Sequence, residues 1–228
     1  MSARISVLVV NFNGGELLIE ALDRVFERRD EWHELILVDN GSSDGSLRRA
    51  VELYPEIRPL ELGANLGFGT ANNRAAAEAE GEYLLLLNSD AWPQTGCLSR
   101  LREILDRRPE VAWASPHLRY PDGRPQFHWA PTTSVVGEAI QKLRNPYEHR
   151  PWIHRRGLRR LFGRGWFTAA CALVRRSAFE QVGGFDEGFF LYFEDVDLCL
   201  RLRHAGFELV DDPEALAVHV KGGSQNRE

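Results

Sequence analysis

The sequence contains few cysteines, and their positions exclude two classes of small stabilised domain. Cys97, Cys171 and Cys199 are the three cysteines of the chain, far apart and without a Cys-x-x-Cys pair. Cysteine-based zinc modules and disulfide-linked secreted domains both need several cysteines at short, regular spacings. We therefore expect a reduced compartment and no zinc site. Cys199 falls on the apolar face of a predicted helix, where cysteine usually packs as a small hydrophobic side chain.

Hydrophobic runs long enough to cross a membrane are also missing. The apolar stretch near the N-terminus, Ile5–Val10, has six residues, whereas a membrane-spanning helix needs about 20. The same stretch is too short for the core of a signal peptide. We expect a cytoplasmic protein that can still rest on the inner face of the membrane.

Excess positive charge and glycine-rich phosphate loops are absent as well. The net charge of -5 gives no reason to expect nucleic acid as a partner. Asn11–Gly15, the turn after the first predicted strand, matches neither GxGxxG nor GxxxxGK[ST], which argues against dinucleotide and P-loop binding. A nucleoside diphosphate held without such a loop needs a cation to balance its phosphate charge.

The first ninety residues alternate between strands and helices. Strands are predicted at Ile5–Val10, Leu35–Val38, Ile57–Leu62 and within Gly81–Ala91, and helices at Leu17–Val25, Leu47–Tyr54 and Thr70–Ala79. This order implies βαβ units and a parallel sheet. A chain of 228 residues forms one large domain or two small ones. The predicted fold class is α/β, with a mainly parallel central sheet flanked by helices.

The second half has a less regular pattern. A helix is predicted over Cys97–Arg107, and a turn at Tyr120–Gly123 predicts a hairpin with Phe127–Trp129. Further strands are predicted over Val111–Ser115, Trp166–Val174, Phe207–Val210 and Ala215–Val220, and a last helix ends at Gly206.

Two acids directly follow buried strands. Four leucines in a row predict a strand buried on both faces, which must push Asn88, Ser89 and Asp90 out at its carboxyl edge. Asp90 there is either part of a plain polar turn or a ligand for a divalent cation. Asp39 is either the acceptor of an Asx-turn or the acceptor for an N–H of a nucleotide base. Because ligands bind at this edge of α/β sheets, we expect Asp39 and Asp90 to share one pocket.

Two further positions can carry chemistry. Asp195 stands at the start of the last helix, where an acid can cap the helix, act as a general base, or do both. The aromatic residues just before it favour a site for a sugar ring and a raised pKa. His219, near the end of the last strand, is either a surface histidine or a second ligand for a cation held by one carboxylate.

Six segments, in this order, resemble the family 2 glycosyltransferases and most closely their bacterial rhamnosyltransferase-like branch. They are VVNFNG, VDNGSSDGS, NLGFGTANNRA, LLLLNSDA, GGFDEGFFLYFEDVDLCLR and HVKGGS. The resemblance spans nearly the whole chain and implies a single GT-A domain. Residues 1–92 would form its nucleotide-sugar half and residues 93–228 a mixed acceptor-binding half. The chain departs from the family at Asn-Ser-Asp, which has one carboxylate where the Asp-x-Asp motif has two.

The resemblance also implies residue roles. Phe12 and Asp39 would contact the nucleotide base, with Asn11 and Asn13 near the ribose. Asn65, Gly67 and Asn72 would line the diphosphate and sugar region, and Ser89 would belong to the same donor site. Asp90 and His219 would hold the metal, and Asp195 would be the catalytic base.

The implied reaction is transfer of a sugar, rhamnose or another hexose, with inversion. The donor would be a dTDP-, UDP- or GDP-sugar, the acceptor a glycan or polyprenyl-linked glycan, and the cofactor Mg2+ or Mn2+. Two rivals stay open on the residues alone: a sugar nucleotidyltransferase, and a non-catalytic module that binds a nucleotide or glycan. The first normally needs a basic phosphate loop, which Asn11–Gly15 does not offer.

Lys142–Arg164 is a basic segment in an acidic protein. It has eight Lys or Arg against one acid, Glu148. Such a run is commonly a solvated loop. If helical, it would gather arginines on one side and apolar residues on the other, which predicts peripheral contact with an anionic membrane. Arginines in this segment would equally suit the diphosphate of a polyprenyl-linked acceptor.

Overall fold

The protein is built on one eight-stranded sheet with helices packed on both faces. The computed structural model describes residues 4–131 and 165–220, so the basic segment Lys142–Arg164 lies outside the described residues. Four of the strand pairings in the sheet are parallel and three are antiparallel. The predicted α/β class with a mainly parallel sheet is confirmed. Within the described ranges, no helix combines the length and apolarity needed to cross a bilayer.

The first half alternates strand and helix as predicted. Its elements are β1 (Ile5–Asn11), α1 (Gly15–Phe26), a short 3-10 helix (Arg29–Glu31), β2 (Glu34–Asp39), α2 (Ser46–Leu53), β3 (Arg58–Glu61), α3 (Phe68–Glu78) and β4 (Tyr83–Asn88). β1 lies between β2 and β4 and is parallel to both, and β3 pairs with the outer side of β2. The four carboxyl ends therefore point to one edge.

The second half extends the same sheet with mixed strand directions. Its elements are β5 (Ala91–Pro93), α4 (Cys97–Arg107), β6 (Val111–Arg119), β7 (Trp129–Pro131), β8 (Gly165–Phe167), β9 (Cys171–Arg175), α5 (Arg176–Gln181), α6 (Glu194–His204) and β10 (Glu208–His219). The strand order is β3-β2-β1-β4-β9-β6-β10-β5, while β7 and β8 form a separate pair.

Two strand predictions in this half are wrong in detail. Trp166–Val174 is not one strand: it divides into β8 and β9, because the turn at 168–170 lets the two pieces pair in different sheets. Phe207–Val210 and Ala215–Val220 are not two strands: they belong to β10, whose register against β6 shifts between Asp212 and Leu216. Pro213, which has no N–H to donate, lies inside that shift.

The predicted hairpin is also only partly formed. The turn is present, since Gly123 N donates to Tyr120 O at 2.9 Å and Arg119 bridges Pro125. Trp129, however, pairs with Phe167 of β8. The pairing with β6 extends to Gln126, whose N donates to Leu118 O at 2.8 Å, and the chain then passes to β8.

Two apolar layers cover the sheet, one on each face. Leu85 and Leu87 of β4 belong to the layer made with α1 and α4, and Leu84 and Leu86 belong to the layer made with α3 and α6. All four leucines are at most 1% exposed. β4 is therefore buried on both faces, as the leucine run predicts.

Burial of both faces can be tested by truncating one leucine on each. Leu85→Ala and Leu86→Ala should each lower the free energy of unfolding by about 2–5 kcal/mol, since each leaves a cavity in a packed layer. Leu60→Ala, at a half-buried position of the otherwise exposed edge strand β3, is the matched control and should cost clearly less. Urea unfolding measures all three. A loss for Leu86→Ala no larger than for Leu60→Ala would contradict burial on the second face.

Candidate functional site

The carboxyl edge of the parallel strands collects the predicted donor-site residues. Asn11 of β1 pairs with Asp39 of β2, and Val10 of β1 pairs with Asn88 of β4. The two predicted acids, Asp39 and Asp90, thus lie on opposite sides of the end of β1. Ser89 and Asp90 are both buried, at 5% and 3% exposure.

Asp39 is held by a network of short polar contacts. Asn11 Nδ2 donates to Asp39 Oδ1 at 3.1 Å, and Ser42 N donates to Asp39 Oδ2 at 2.9 Å. The second bond is the local turn contact expected of an aspartate here. Each carboxylate oxygen has a further lone pair, so Asp39 can still accept a hydrogen bond from a ligand.

Asn11 and Asn13 organise the turn after β1. Asn11 is fully buried, and its Oδ1 accepts from Gly14 N at 3.0 Å, so its side chain is used to orient Asp39 and the turn. Asn13 has a positive φ of 51°, and its Oδ1 accepts from Ser43 N at 2.8 Å. Phe12, between them, is half-buried.

Asn40 fixes the loop that carries Asn65 and Gly67. Its Nδ2 donates to Asn65 Oδ1 at 2.8 Å, and its Oδ1 accepts from Leu66 N at 2.9 Å. Gly67 has a φ of 87°, and a Cβ there would lie 2.3 Å from the Phe190 carbonyl oxygen. Gly67 is needed because this donor-side loop lies against the backbone of the aromatic segment, defined here as Phe190–Phe193.

The first two turns of α3 carry two asparagines with different surroundings. Asn72 is fully buried and its Nδ2 donates to Phe68 O at 3.0 Å, while its Oδ1 meets no hydrogen-bond partner among the described residues. Asn73 accepts from Phe185 N at 2.8 Å and donates to Phe185 O at 2.9 Å. Asn73 therefore ties α3 to the loop that leads into the aromatic segment.

Asp90 and His219 lie together, although 129 positions separate them in the chain. His219 Nε2 is 3.3 Å from Asp90 Oδ1, and Val220 N donates to Asp90 O at 2.9 Å. Gln126 holds His219 through two contacts. Gln126 Nε2 donates to His219 O at 3.0 Å, and Gln126 Oε1 lies 2.7 Å from His219 Nδ1. Since Oε1 can only accept, Nδ1 carries the proton.

This arrangement fits a divalent cation. With the proton on Nδ1, a neutral His219 directs the lone pair of Nε2 towards the Asp90 carboxylate. Asn88 Nδ2 lies 3.3 Å from the same nitrogen. Neighbouring ligands of an octahedral Mg2+ are separated by about 3 Å, given bonds of about 2.0–2.1 Å. The observed separation of 3.3 Å between the nitrogen and the oxygen is close to that value.

The start of α6 presents two carboxyl groups of raised pKa. Burial raises the pKa of Asp195 to about 6, although hydrogen bonds from Val196 and Ala169 N–H and from Thr168 oppose the shift. Burial, followed by the nearby Asp195 charge, raises the pKa of Glu194 to about 7. The N-cap residue is Phe193, and no side chain caps the helix from that position. Asp195 instead joins α6 to the loop between β8 and β9.

The aromatic segment before these acids is exposed and strained. Phe190, Leu191, Tyr192 and Phe193 are 58%, 48%, 56% and 60% exposed. Tyr192 and Phe193 have φ values of 67° and 69°, a region that bulky side chains rarely adopt. Such strain costs on the order of 1–3 kcal/mol per residue and is found mostly at ligand sites.

Three residues that complete the site have no clear signal in the sequence. Gln126 orients His219 from 93 positions away, and Asn73 holds Phe185 from 112 positions away. Asn40 is closer, since it follows Asp39 directly and precedes a glycine, which marks a turn but not a role. The structure brings the Asp39 network and the Asp90–His219 pair to one sheet edge, and Gly67 joins that edge to the segment before Asp195.

Two sequence comparisons identify relatives of known activity. Residues 6–183 match the family described as Glycosyl transferase family 2. An N-acetylglucosaminyl-diphospho-decaprenol L-rhamnosyltransferase of Mycobacterium tuberculosis is 35% identical over 100% of this chain and 80% of its own length. The rhamnosyltransferase WbbL of Escherichia coli is 28% identical over 93% of this chain and 82% of its own length.

The fold has solved relatives as well. The mannosyltransferase PcManGT of Pyrobaculum calidifontis, solved with GDP-Man and Mn2+, superposes with a TM-score of 0.68 at 23% identity, over 96% of this chain. The chain spans 57% of that protein's length. The shared fold is GT-A, as the sequence motifs imply. The chain therefore belongs to glycosyl transferase family 2, as a rhamnosyltransferase-like glycosyltransferase.

Proposed function

We propose that this enzyme transfers a hexose, such as rhamnose, from a nucleotide sugar to a hydroxyl of a polyprenyl-linked glycan, with inversion. The observation that carries the proposal is the pairing of Asp90 with a His219 whose tautomer Gln126 sets at the nucleotide-binding edge. The named activity of the Mycobacterium tuberculosis relative supports the sugar and the acceptor class. Residues 1–92 would bind the donor and residues 93–228 the acceptor.

The donor would be a dTDP-, UDP- or GDP-sugar lying along the carboxyl edge. Asp39 would accept an N–H of the base with its remaining lone pairs, beside the ring of Phe12, with Asn11 and Asn13 near the ribose. Asn65, Gly67, Asn72 and Ser89 would line the diphosphate and sugar. The buried Oδ1 of Asn72, which meets no partner among the described residues, is an acceptor suited to a sugar hydroxyl.

Asp90 and His219 would hold a divalent cation, Mg2+ or Mn2+. Bound there, the cation neutralises charge that develops on the departing diphosphate. The protein's part is to present one carboxylate oxygen and one unprotonated ring nitrogen at the right separation. Mn2+ in the solved mannosyltransferase is consistent with this choice.

Asp195 would be the general base. The bond between the anomeric carbon and the diphosphate oxygen breaks, and its electron pair leaves with the diphosphate. The acceptor oxygen forms the new bond from the opposite face, which inverts the configuration, while its proton moves to Asp195. The exposed aromatic segment beside Asp195 would pack against the acceptor sugar.

A donor panel tests the proposal against its rivals. The full-length protein is incubated with nucleotide sugars, Mg2+ or Mn2+ and a synthetic polyprenyl-diphosphate glycan. Sugar transfer, or slow hydrolysis of one donor without acceptor, is expected. Pyrophosphate release from sugar phosphate and nucleoside triphosphate would indicate a nucleotidyltransferase instead, and binding without turnover would indicate a non-catalytic module.

Asp90→Asn should abolish metal-dependent donor binding and leave the fold intact, because asparagine suits the same turn but lacks the charge for the cation. Calorimetry with and without Mn2+ measures this. Asp30→Asn, an exposed aspartate next to the opposite end of β2, is the control and should bind like wild type. Unchanged metal-dependent binding in Asp90→Asn would remove Asp90 from the cation site.

Asp195→Asn should lower transfer by about a hundredfold or more with donor affinity unchanged, because the amide keeps the shape but accepts no proton. In wild type, the pKa of about 6 predicts that transfer rises with pH up to about 6 and then levels off, since the protonated acid is inactive. This acidic limb should vanish in the variant.

Glu194→Gln is the matched control for that experiment. Glu194 is the neighbour of Asp195, and the pKa of its carboxyl group is raised as well. If Glu194→Gln retains most of its activity and the acidic limb of the pH profile, the base is Asp195. The reverse pattern, with Glu194→Gln inactive and Asp195→Asn active, would make Glu194 the base. A lowered melting temperature with normal activity per folded molecule would leave Asp195 a structural role only.

A further inference from the structure

A second group of metal-ligating side chains lies outside the site described above. His117 of β6, His128 before β7 and Asp211 of β10 converge, with candidate ligand atoms that all lie within 4.8 Å of one another. His117 Nε2 is 3.0 Å from Asp211 Oδ2, and His128 Nε2 is 3.4 Å from the same oxygen. None of the three belongs to a motif that the sequence analysis singled out.

The distances match those between ligands of a tetrahedral zinc ion. Bonds of about 2.0–2.1 Å at tetrahedral angles place neighbouring ligand atoms about 3.3 Å apart. Both histidines present Nε2 to the same oxygen of Asp211. An ion could therefore contact all three ligand atoms with little movement of the backbone. The ring centroids of His117 and His128 are 4.5 Å apart, which keeps both imidazoles on the same side of Asp211.

Burial adds a reason for a cation here. The side chains of His128 and Asp211 are 1% and 8% exposed. A cation bound there would be largely shielded from water, which strengthens its attraction to the Asp211 carboxylate. His117 is 20% exposed, so this side of the cluster is open to solvent.

The ligand types select the metal. Two imidazoles and one carboxylate suit zinc and related transition metals, whereas Mg2+ and Ca2+ prefer sites made of oxygen atoms. We propose that His117, His128 and Asp211 form a zinc site separate from the donor cation site; this proposal does not rest on the proposed transfer reaction. The cysteine pattern predicts no zinc site, and this one uses no cysteine.

Zinc at this point would join three segments of the second half. Asp211 immediately precedes the register shift of β10, at Asp212–Leu216, and His117 pairs with Leu216 on its far side. His128 is two residues beyond Gln126, which holds His219. The ion would therefore stabilise the bulged strand and the segment that orients His219.

The test uses the full-length protein, freed of metal with a chelator and titrated with ZnCl2 alone by calorimetry, with MgCl2 as the comparison. Wild type should bind zinc far more tightly than magnesium and should melt at a higher temperature with zinc. His117→Gln and Asp211→Asn should each weaken zinc binding by about a hundredfold or more, since each removes a ligand. Circular dichroism checks that both variants fold.

Two controls locate the ion. Asp90→Asn should keep the tight zinc binding, because its site is a different one. His204→Gln, an exposed histidine on α6, should also bind like wild type. Zinc binding lost in Asp90→Asn but retained in His117→Gln would assign the ion to Asp90 and His219 and overturn the proposal.

Cobalt gives a readout that needs no variant. Co2+ bound to the wild type at a four-coordinate site absorbs strongly in the visible range, whereas six-coordinate Co2+ absorbs weakly. Strong absorption that zinc displaces is expected. Weak absorption, or zinc affinity no greater than that for magnesium, would mean that the three residues form a hydrogen-bonded cluster without metal.

Discussion

The architecture depends on one constraint: β4 is buried on both faces, so the polar residues that follow it have to emerge at the sheet edge. Leu84–Leu87 pack alternately into the two apolar layers. Asn88, Ser89 and Asp90 cannot continue that pattern without burying unpaired polar groups. They are therefore fixed at the carboxyl edge by a rigid strand, and Asp90 gains the positional precision that a cation ligand needs.

The second half of the chain brings His219 to the carboxyl edge of the sheet, which the first half forms. β10 returns His219 to Asp90, and Gln126 sets its tautomer through two hydrogen bonds. In the proposed cation site, this oriented imidazole would take the place of the missing first acid of an Asp-x-Asp motif. A single acid in Asn-Ser-Asp is thus no argument against a cation site, because the partner ligand comes from a distant strand.

The loop proposed to bind the donor contacts, at Gly67, the segment proposed to meet the acceptor. A Cβ at Gly67 would lie 2.3 Å from the Phe190 carbonyl oxygen, so glycine is needed for this close approach of the two backbones. Tyr192 and Phe193 keep strained backbone angles directly before Glu194 and Asp195. The same exposed segment that would meet an acceptor is followed at once by the buried Glu194 and the half-buried Asp195. Loss of hydration raises the pKa of Asp195 to about 6, a value suited to a base near neutral pH.

The sequence by itself determined the class of fold, the order of elements in the first half and the acids at the strand ends, because periodicity and burial act over a few neighbouring residues. Its family-like motifs also singled out Asp90, His219 and Asp195 as candidate site residues. Tertiary structure alone decided that Trp129 pairs with β8, that β10 is one bulged strand, and that Gln126 sets the proton on His219. Tertiary structure alone also brought His117, His128 and Asp211 together. Each depends on which strands become neighbours in the sheet, and contacts between residues of different strands leave no local pattern to detect.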